Sequence, residues 1–271
     1  MTGFLDTQAY RIQPDTQVDL GRFDPRDDGH VDKDNAPAYQ QLLRDRLIAL
    51  QELLYAQGKH SLLVVFQAMD AGGKDSTIRH VIGPLNPAGV RVTSFKAPNT
   101  IERGHDFLWR IHQHTPRRGY ISVFNRSHYE EVLIARVHEL VPEKTWQARY
   151  AHINAFESLL ADEGTQIVKF YLHISKAYQK ERLQRRLDQP DKNWKFEPAD
   201  LKERAHWDDY RHAFEAALSK CSTRQAPWYV VPAQRRWFRD LLVSQVLVEH
   251  LEALKMTPPK PTFDPAHFVI E

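Results

Sequence analysis

The chain has 271 residues, 42% hydrophobic and 27% charged, which suits one globular α/β domain with a full core. A net charge of only +2 carries no global field for nucleic acid, so any anion recognition has to be local. The single cysteine, Cys221, excludes an internal disulfide framework, no run nears the ~20 apolar residues of a membrane span, and the polar start Met1–Asp6 lacks a signal pattern, so a cytoplasmic location is expected.

Residues 1–37 are polar and interrupted by Pro14, Pro25 and Pro37, which predicts an irregular surface arm. Leu42, Leu43, Leu47, Ile48, Leu50, Leu53 and Leu54 recur at helical spacing over Tyr39–Gln57, and Gly58 ends the helix. Leu62–Phe66 is an unbroken apolar run, a strand buried on both faces. Gly72-Gly73-Lys74 then turns the chain into a helix opening at Ser76–Ile82. Val90–Phe95 alternates as a second strand, followed by a helix over Thr100–His114. Tyr120–Phe124 is a third strand, and a helix follows Asn125–Glu130.

A long helix spans Lys144–Ala161, and Gln166–Ile174 is a fourth buried strand. Ser175 caps a helix carrying Lys180, Arg182, Arg185 and Arg186, which Pro190 breaks. A short polar helix around Ala199–Arg204, a helix over Trp207–Ser219, a fifth strand at Trp228–Pro232 and a last helix over Gln234–Lys255 complete the body. The tail, with Pro258, Pro259, Pro261 and Pro265, is expected to lie extended on the surface.

Strands alternating with helices predict a five-stranded parallel sheet between helix layers. Ligands of such sheets bind beyond the carboxyl ends of the strands. That rule gathers Asp70–Lys74, Lys96, Asn125–Glu130 and the segments after Ile174 and Val231 onto one rim.

Strand, glycine turn, lysine and helix is the layout of a phosphate-binding loop, in which backbone N–H groups and the lysine close on phosphate oxygens. Ala68 replaces the first glycine of that motif, and Asp75 stands where Ser or Thr would hold Mg²⁺, so Asp70 is the candidate metal carboxylate. Glu130 is the nearest second carboxylate, although a first-turn glutamate also serves simply to complement a helix dipole. Arg126, directly after a buried strand, is expected to contact phosphate. The cations from Lys180 to Lys195 make either a solvated helix face or a mobile lid that closes over phosphate; Arg182 and Arg186 lack acids four residues away, which favours the lid. Trp109, Trp194 and Trp207 are expected to be packing residues.

Phe66–Asp75, Asn86-Pro87 with Gly89–Lys96, Phe124–Glu130 and Trp194-Lys195-Phe196, in that order, resemble the polyphosphate kinase 2 family across roughly residues 36–255. The resemblance implies a three-layer α/β/α P-loop kinase fold, like that of thymidylate kinase, at residues 38–255. A helical lid would lie at about 177–205 and a C-terminal tail at 256–271. It also implies Mg²⁺-dependent phosphoryl transfer, with Mn²⁺ as an alternative, between inorganic polyphosphate and nucleotides: AMP, ADP and ATP or the guanine nucleotides. Asp70 and Lys74 match the family's loop aspartate and lysine, and Asn125-Arg126-Ser127 its second motif, which in many members begins with Asp. Asn125, His128 and Glu130 together resemble the subgroup that accepts nucleoside monophosphates as well as diphosphates.

Asp70, Lys74, Arg126 and Glu130 are thus the candidate catalytic residues, with Asp70 and Glu130 at the metal. Gly72, Gly73, Lys74, Asp75, Ser76, Arg79, Lys96, Arg182 and Arg186 are the candidate phosphate ligands. Asn125, Ser127 and His128 form the second motif, and Arg185, Lys192 and Lys195 belong to the lid. The family likeness also implies a dimer or tetramer. The rival readings are an ATP-dependent kinase of a nucleotide or small metabolite, and a P-loop module that binds without turnover.

Overall fold

The computed structural model describes residues 4–264, 267–268 and 270. Five parallel strands form one sheet: β1 Ser61–Ala68, β2 Val90–Ser94, β3 Ile121–Asn125, β4 Thr165–His173 and β5 Trp228–Pro232. Their order is β2-β3-β1-β4-β5, so the apolar run expected to be buried on both faces lies at the centre. All of β1 is buried, and each fully buried Leu, Val or Phe in it contributes about 1.5–3 kcal/mol.

The helices are α1 Ala36–Gln57, α2 Lys74–Thr77, α3 Thr100–Arg103, α4 Trp109–His112, α5 Ile134–Val137, α6 Glu143–Asp162, α7 Lys176–Asp188, α8 Ala199–Ala205, α9 Trp207–Cys221 and α10 Arg236–Glu252. α1 packs along α10, which lies against β4 and β5, while α6 packs on β4 and on α9. Gly58 closes α1 at φ +62°, and the Ser175 hydroxyl accepts from the Tyr178 amide to cap α7, as their sequences predict.

Three elements differ from expectation. The helix expected over Thr100–His114 is two single turns, α3 and α4. The Asn99–Glu102 capping box starts the first and Gly104 closes it, while the Asp106 carboxylate caps the Leu108 amide before the second. From His128 the chain makes a 3₁₀ turn, His128–Val132, and then only the one-turn α5, instead of a full helix after Glu130. α2 widens into a π turn at Ile78–Ile82.

The amino-terminal segment lies deeper than a surface arm. Tyr10, Ile12, Val18 and Leu20 are buried, the Ile12 amide donates to Trp228 O over 2.9 Å, and Arg11 bridges Tyr229 antiparallel to β5. Apolar residues within the polar stretch thereby cover an otherwise open sheet edge. The tail is without regular structure through Asp264; residues 1–3, 265, 266, 269 and 271 lie outside the described residues. Among the described residues no helix is long and apolar enough to cross a membrane.

Candidate active site

The loop after β1 bends through Ala71 at φ +61° and Gly73 at φ +102°. A side chain at Gly73 would meet Arg239 of α10, whose Nη1 lies 2.5 Å from an ideal Cβ. The glycine therefore answers both a backbone conformation and a close approach. Lys74 turns back so that Nζ donates to Ala68 O over 3.2 Å. Burial pulls the Lys74 ammonium below its usual basicity, against the charge of Asp70. Ser76 Oγ and Thr77 Oγ1 both donate to Gly73 O, over 2.9 and 3.1 Å, so these hydroxyls brace the loop.

Beside it, the chain leaves β3 through Arg126 at φ +62°. For an arginine that conformation costs about 1–2 kcal/mol and persists only where the surroundings over-determine it. Here the Arg126 amide donates to Phe66 O over 3.1 Å, and Ser127 Oγ accepts from Gln67 Nε2 and from the Tyr129 amide, each over 3.1 Å. The turn delivers Arg126 Nη2 to within 3.1 Å of Asp70 Oδ1. Burial lowers the Arg126 guanidinium's affinity for its proton, but Glu130 and Asp70 more than offset this and hold it more basic than usual. Burial pushes the Glu130 carboxyl up, against the charges of Arg126 and Lys74.

Asp70, Arg126 and Glu130 line one cavity of about 270 Å³. Leu133, Ile134, Trp207 and Phe214 form its apolar wall, and Asp200, Glu203 and Arg204 face them from the lid side. Gln179 of α7 ties the lid to the loop by donating Nε2 to Asp70 O over 3.0 Å, and Arg204 donates to Gln179 Oε1 over 2.9 Å. Burial and then the charge of Asp70 raise the Asp200 carboxyl.

The candidate residues separate accordingly. Asp70, Lys74, Arg126 and Glu130 come together, as do the loop residues Gly72, Gly73, Asp75 and Ser76. Asn125 Nδ2 donates to Asp75 Oδ1 over 2.6 Å, so these two unusual motif residues engage each other. Ser127 and His128, the rest of the second motif, do not line the cavity. Both are wholly buried, Ser127 holding the turn and His128 Nε2 lying 3.1 Å from Glu157 Oε1 beneath it, because a 3₁₀ turn sends them inward.

Arg182 lies half-buried, its basicity lowered by burial and by the nearby Arg236, Arg185 and Arg186. Arg186 Nη1 is engaged within the lid, donating to Lys195 O and Asp200 Oδ2, each over 3.0 Å. Arg185 and Lys192 both donate to Gln189, and Lys195 stacks on Trp194, which is exposed and packs no core. Arg79 and Lys96 are exposed and outside the cavity lining.

Sequence reasoning missed Gln179, Asp200, Glu203, Arg204 and the packed Arg239. A buried polar partner on a lid helix leaves no local pattern; an arginine amid the apolar residues of α10 was the one visible anomaly.

A profile of the polyphosphate kinase 2 family matches residues 30–259, most of the chain. The chain belongs to the polyphosphate kinase 2 family. Among its relatives is the AMP/ADP-polyphosphate phosphotransferase of Meiothermus ruber, 54% identical over 97% of this chain and 100% of that one. The ADP-polyphosphate phosphotransferase of Rhodopseudomonas palustris is 47% identical over 95% and 94% of the two chains. The crystal structure of polyphosphate kinase 2 from Arthrobacter aurescens superposes with a TM-score of 0.94 at 42% identity, covering 98% of this chain and 96% of that one. The five-stranded parallel sheet with helices on both faces is thus the architecture of that polyphosphate kinase 2 structure.

Proposed function

We infer that this chain transfers a phosphoryl group between inorganic polyphosphate and an adenine nucleotide, with AMP and ADP both acceptors. The observation that carries the reading is the convergence of Asp70, Lys74, Arg126 and Glu130 beside one cavity, in a chain with end-to-end phosphotransferase relatives.

The polyphosphate end is assigned to the loop amides of Gly72–Ser76, to Lys74 and to lid arginines, Arg182 foremost, within residues 177–205. The nucleoside is assigned to the cavity, whose apolar wall of Leu133, Ile134, Trp207 and Phe214 suits a base. A nucleotide phosphate oxygen attacks the terminal phosphorus in line; the new P–O bond forms as the bridge to the penultimate phosphate breaks, and the shortened chain leaves with that bridging oxygen. The attacking oxygen is already ionised, so no general base and no phosphoenzyme is required. Lys74 and Arg126 hold the transferring group's oxygens and offset the charge that develops on them.

A hard divalent cation in a phosphate site takes one or two carboxylates and completes its shell with phosphate oxygens and water. Asp70 and Glu130, bordering the same cavity, fit that requirement. The cation, Mg²⁺ with Mn²⁺ as the alternative, would supply charge neutralisation between donor and acceptor phosphates.

The test is to incubate the purified chain with AMP or ADP and polyphosphate in the absence of ATP. ADP or ATP should form, and chelation should stop the reaction. Phosphorylation that requires ATP as donor would instead identify an ATP-dependent kinase. The same assay with GMP and GDP decides whether guanine nucleotides are accepted, and sedimentation decides between monomer, dimer and tetramer.

A further inference from the structure

Lys169 stands in the middle of β4, wholly buried between Val168 and Phe170. Its Nζ donates to Glu157 Oε2 of α6, to the Tyr129 hydroxyl over 2.8 Å and to Cys221 O over 2.7 Å. Glu157 Oε1 accepts from the Tyr129 hydroxyl over 2.9 Å and lies 3.1 Å from His128 Nε2. Burial alone would raise the Glu157 carboxyl, yet the Lys169 charge and the hydrogen bonds from His128 and Lys169 bring it below its usual range, so it is ionised. An ionised carboxylate only accepts, which assigns the shared imidazole proton to Nε2.

An apolar pair of similar volume is often as stable as a buried ion pair, or more so, and stability alone therefore gives no reason for this one. What the pair grips does. His128 and Tyr129 are the two residues between Ser127 and Glu130, in the turn that begins at Arg126 in its left-handed conformation. On the cleft side that turn is held by the Phe66 carbonyl and the Gln67 amide. On the core side it is held by Glu157, with Trp228 packed edge-on against Tyr129, ring centroids 4.8 Å apart. Consecutive residues are thereby split, with Arg126 and Glu130 facing the cleft and His128 and Tyr129 anchored below.

We propose that Glu157 and Lys169, acting through His128 and Tyr129, are positioning residues that set the geometry of Arg126 and Glu130 for phosphoryl transfer. This rests on the reading above that Arg126 and Glu130 act on the phosphates.

The test uses the full chain and two variants. Tyr129→Phe removes one tether and leaves the ion pair intact; Glu157→Gln/Lys169→Met replaces both charges together. Three quantities are compared: kcat and KM with polyphosphate and AMP or ADP, the thermal midpoint, and hydrogen exchange at the Arg126 and Glu130 amides without substrate. In Tyr129→Phe, exchange at both amides should speed up while that of the β1 amides does not. Its kcat should fall about 10- to 100-fold, as expected for a displaced catalytic group, with KM nearly unchanged. The double variant should show the same split.

Wild-type exchange at those two amides in a folded variant overturns the proposal whatever the activity. So does a lowered thermal midpoint with unchanged kcat, which would be a merely structural role. Should the wild-type chain itself form no ADP or ATP, the proposed function fails, while the exchange readout still decides whether the cluster holds the turn.

Discussion

Arg126 Nη2 donates to Asp70 Oδ1 across 3.1 Å and so joins the turn after β3 to the loop after β1. Each group neutralises the other. Phosphate and a divalent cation would exchange these partners, the guanidinium turning to phosphate oxygens and the carboxylate to the cation. The cost of separating the pair is modest because both side chains keep some solvent access.

Asp70→Asn keeps the side chain's shape and removes its charge. Turnover should fall about 10²- to 10³-fold, the typical loss when one preorganised electrostatic group is removed, with the thermal midpoint little changed. Initial rates with polyphosphate and ADP, set beside a thermal melt, measure both. Turnover at the wild-type level would contradict the assignment of Asp70.

Gly73→Ala should weaken both fold and site. At φ +102° an alanine is strained by about 1–3 kcal/mol, and its Cβ would press on Arg239 Nη1 besides. Denaturant unfolding should show the lost stability, and polyphosphate should bind more weakly. Unaltered stability would mean that the loop relaxes without cost.

Glu130 sets a pH dependence of definite sign. Burial raises its folded-state pKa, so its stability contribution is full below the unfolded value and is lost as pH rises through the folded one. Glu130→Gln should therefore melt higher than wild type, by a margin that grows with pH above the usual glutamate range. Activity should move the other way, because Gln is a poorer cation ligand, and the acid limb of the rate profile should move to lower pH than in the wild type. Melts and rates across a pH series check both.

Glu157 has the opposite sign. Its folded-state pKa is depressed, so its contribution is present above the unfolded value and is lost as pH falls through the folded one. Wild-type stability should drop in acid through that window. Glu157→Gln/Lys169→Met should show a flatter profile, measured by denaturant unfolding at a series of acid pH values.

Much of the architecture was decided by neighbours along the chain. The apolar runs of β1, β4 and β5, the Gly58 stop and the Ser175 cap are contests between adjacent residues, and the sequence settles them locally. The parallel sheet follows from the alternation of strands and helices, and with it the rim that gathers Asp70, Lys74, Arg126 and Glu130. Only the fold could decide which polar side chains meet across a gap. His128 belongs by resemblance to the second motif, yet a 3₁₀ turn points it at Glu157, 29 residues away. Lys169 sits unremarked within a strand read as buried until Glu157 and Tyr129 close on it, and Asn125 stands where many family members have Asp until Asp75 is seen to accept its amide. Periodicity reports which face of an element is buried, because burial repeats along the chain. The partner of a single charged or polar group depends on the packing of distant segments, and no local pattern encodes it.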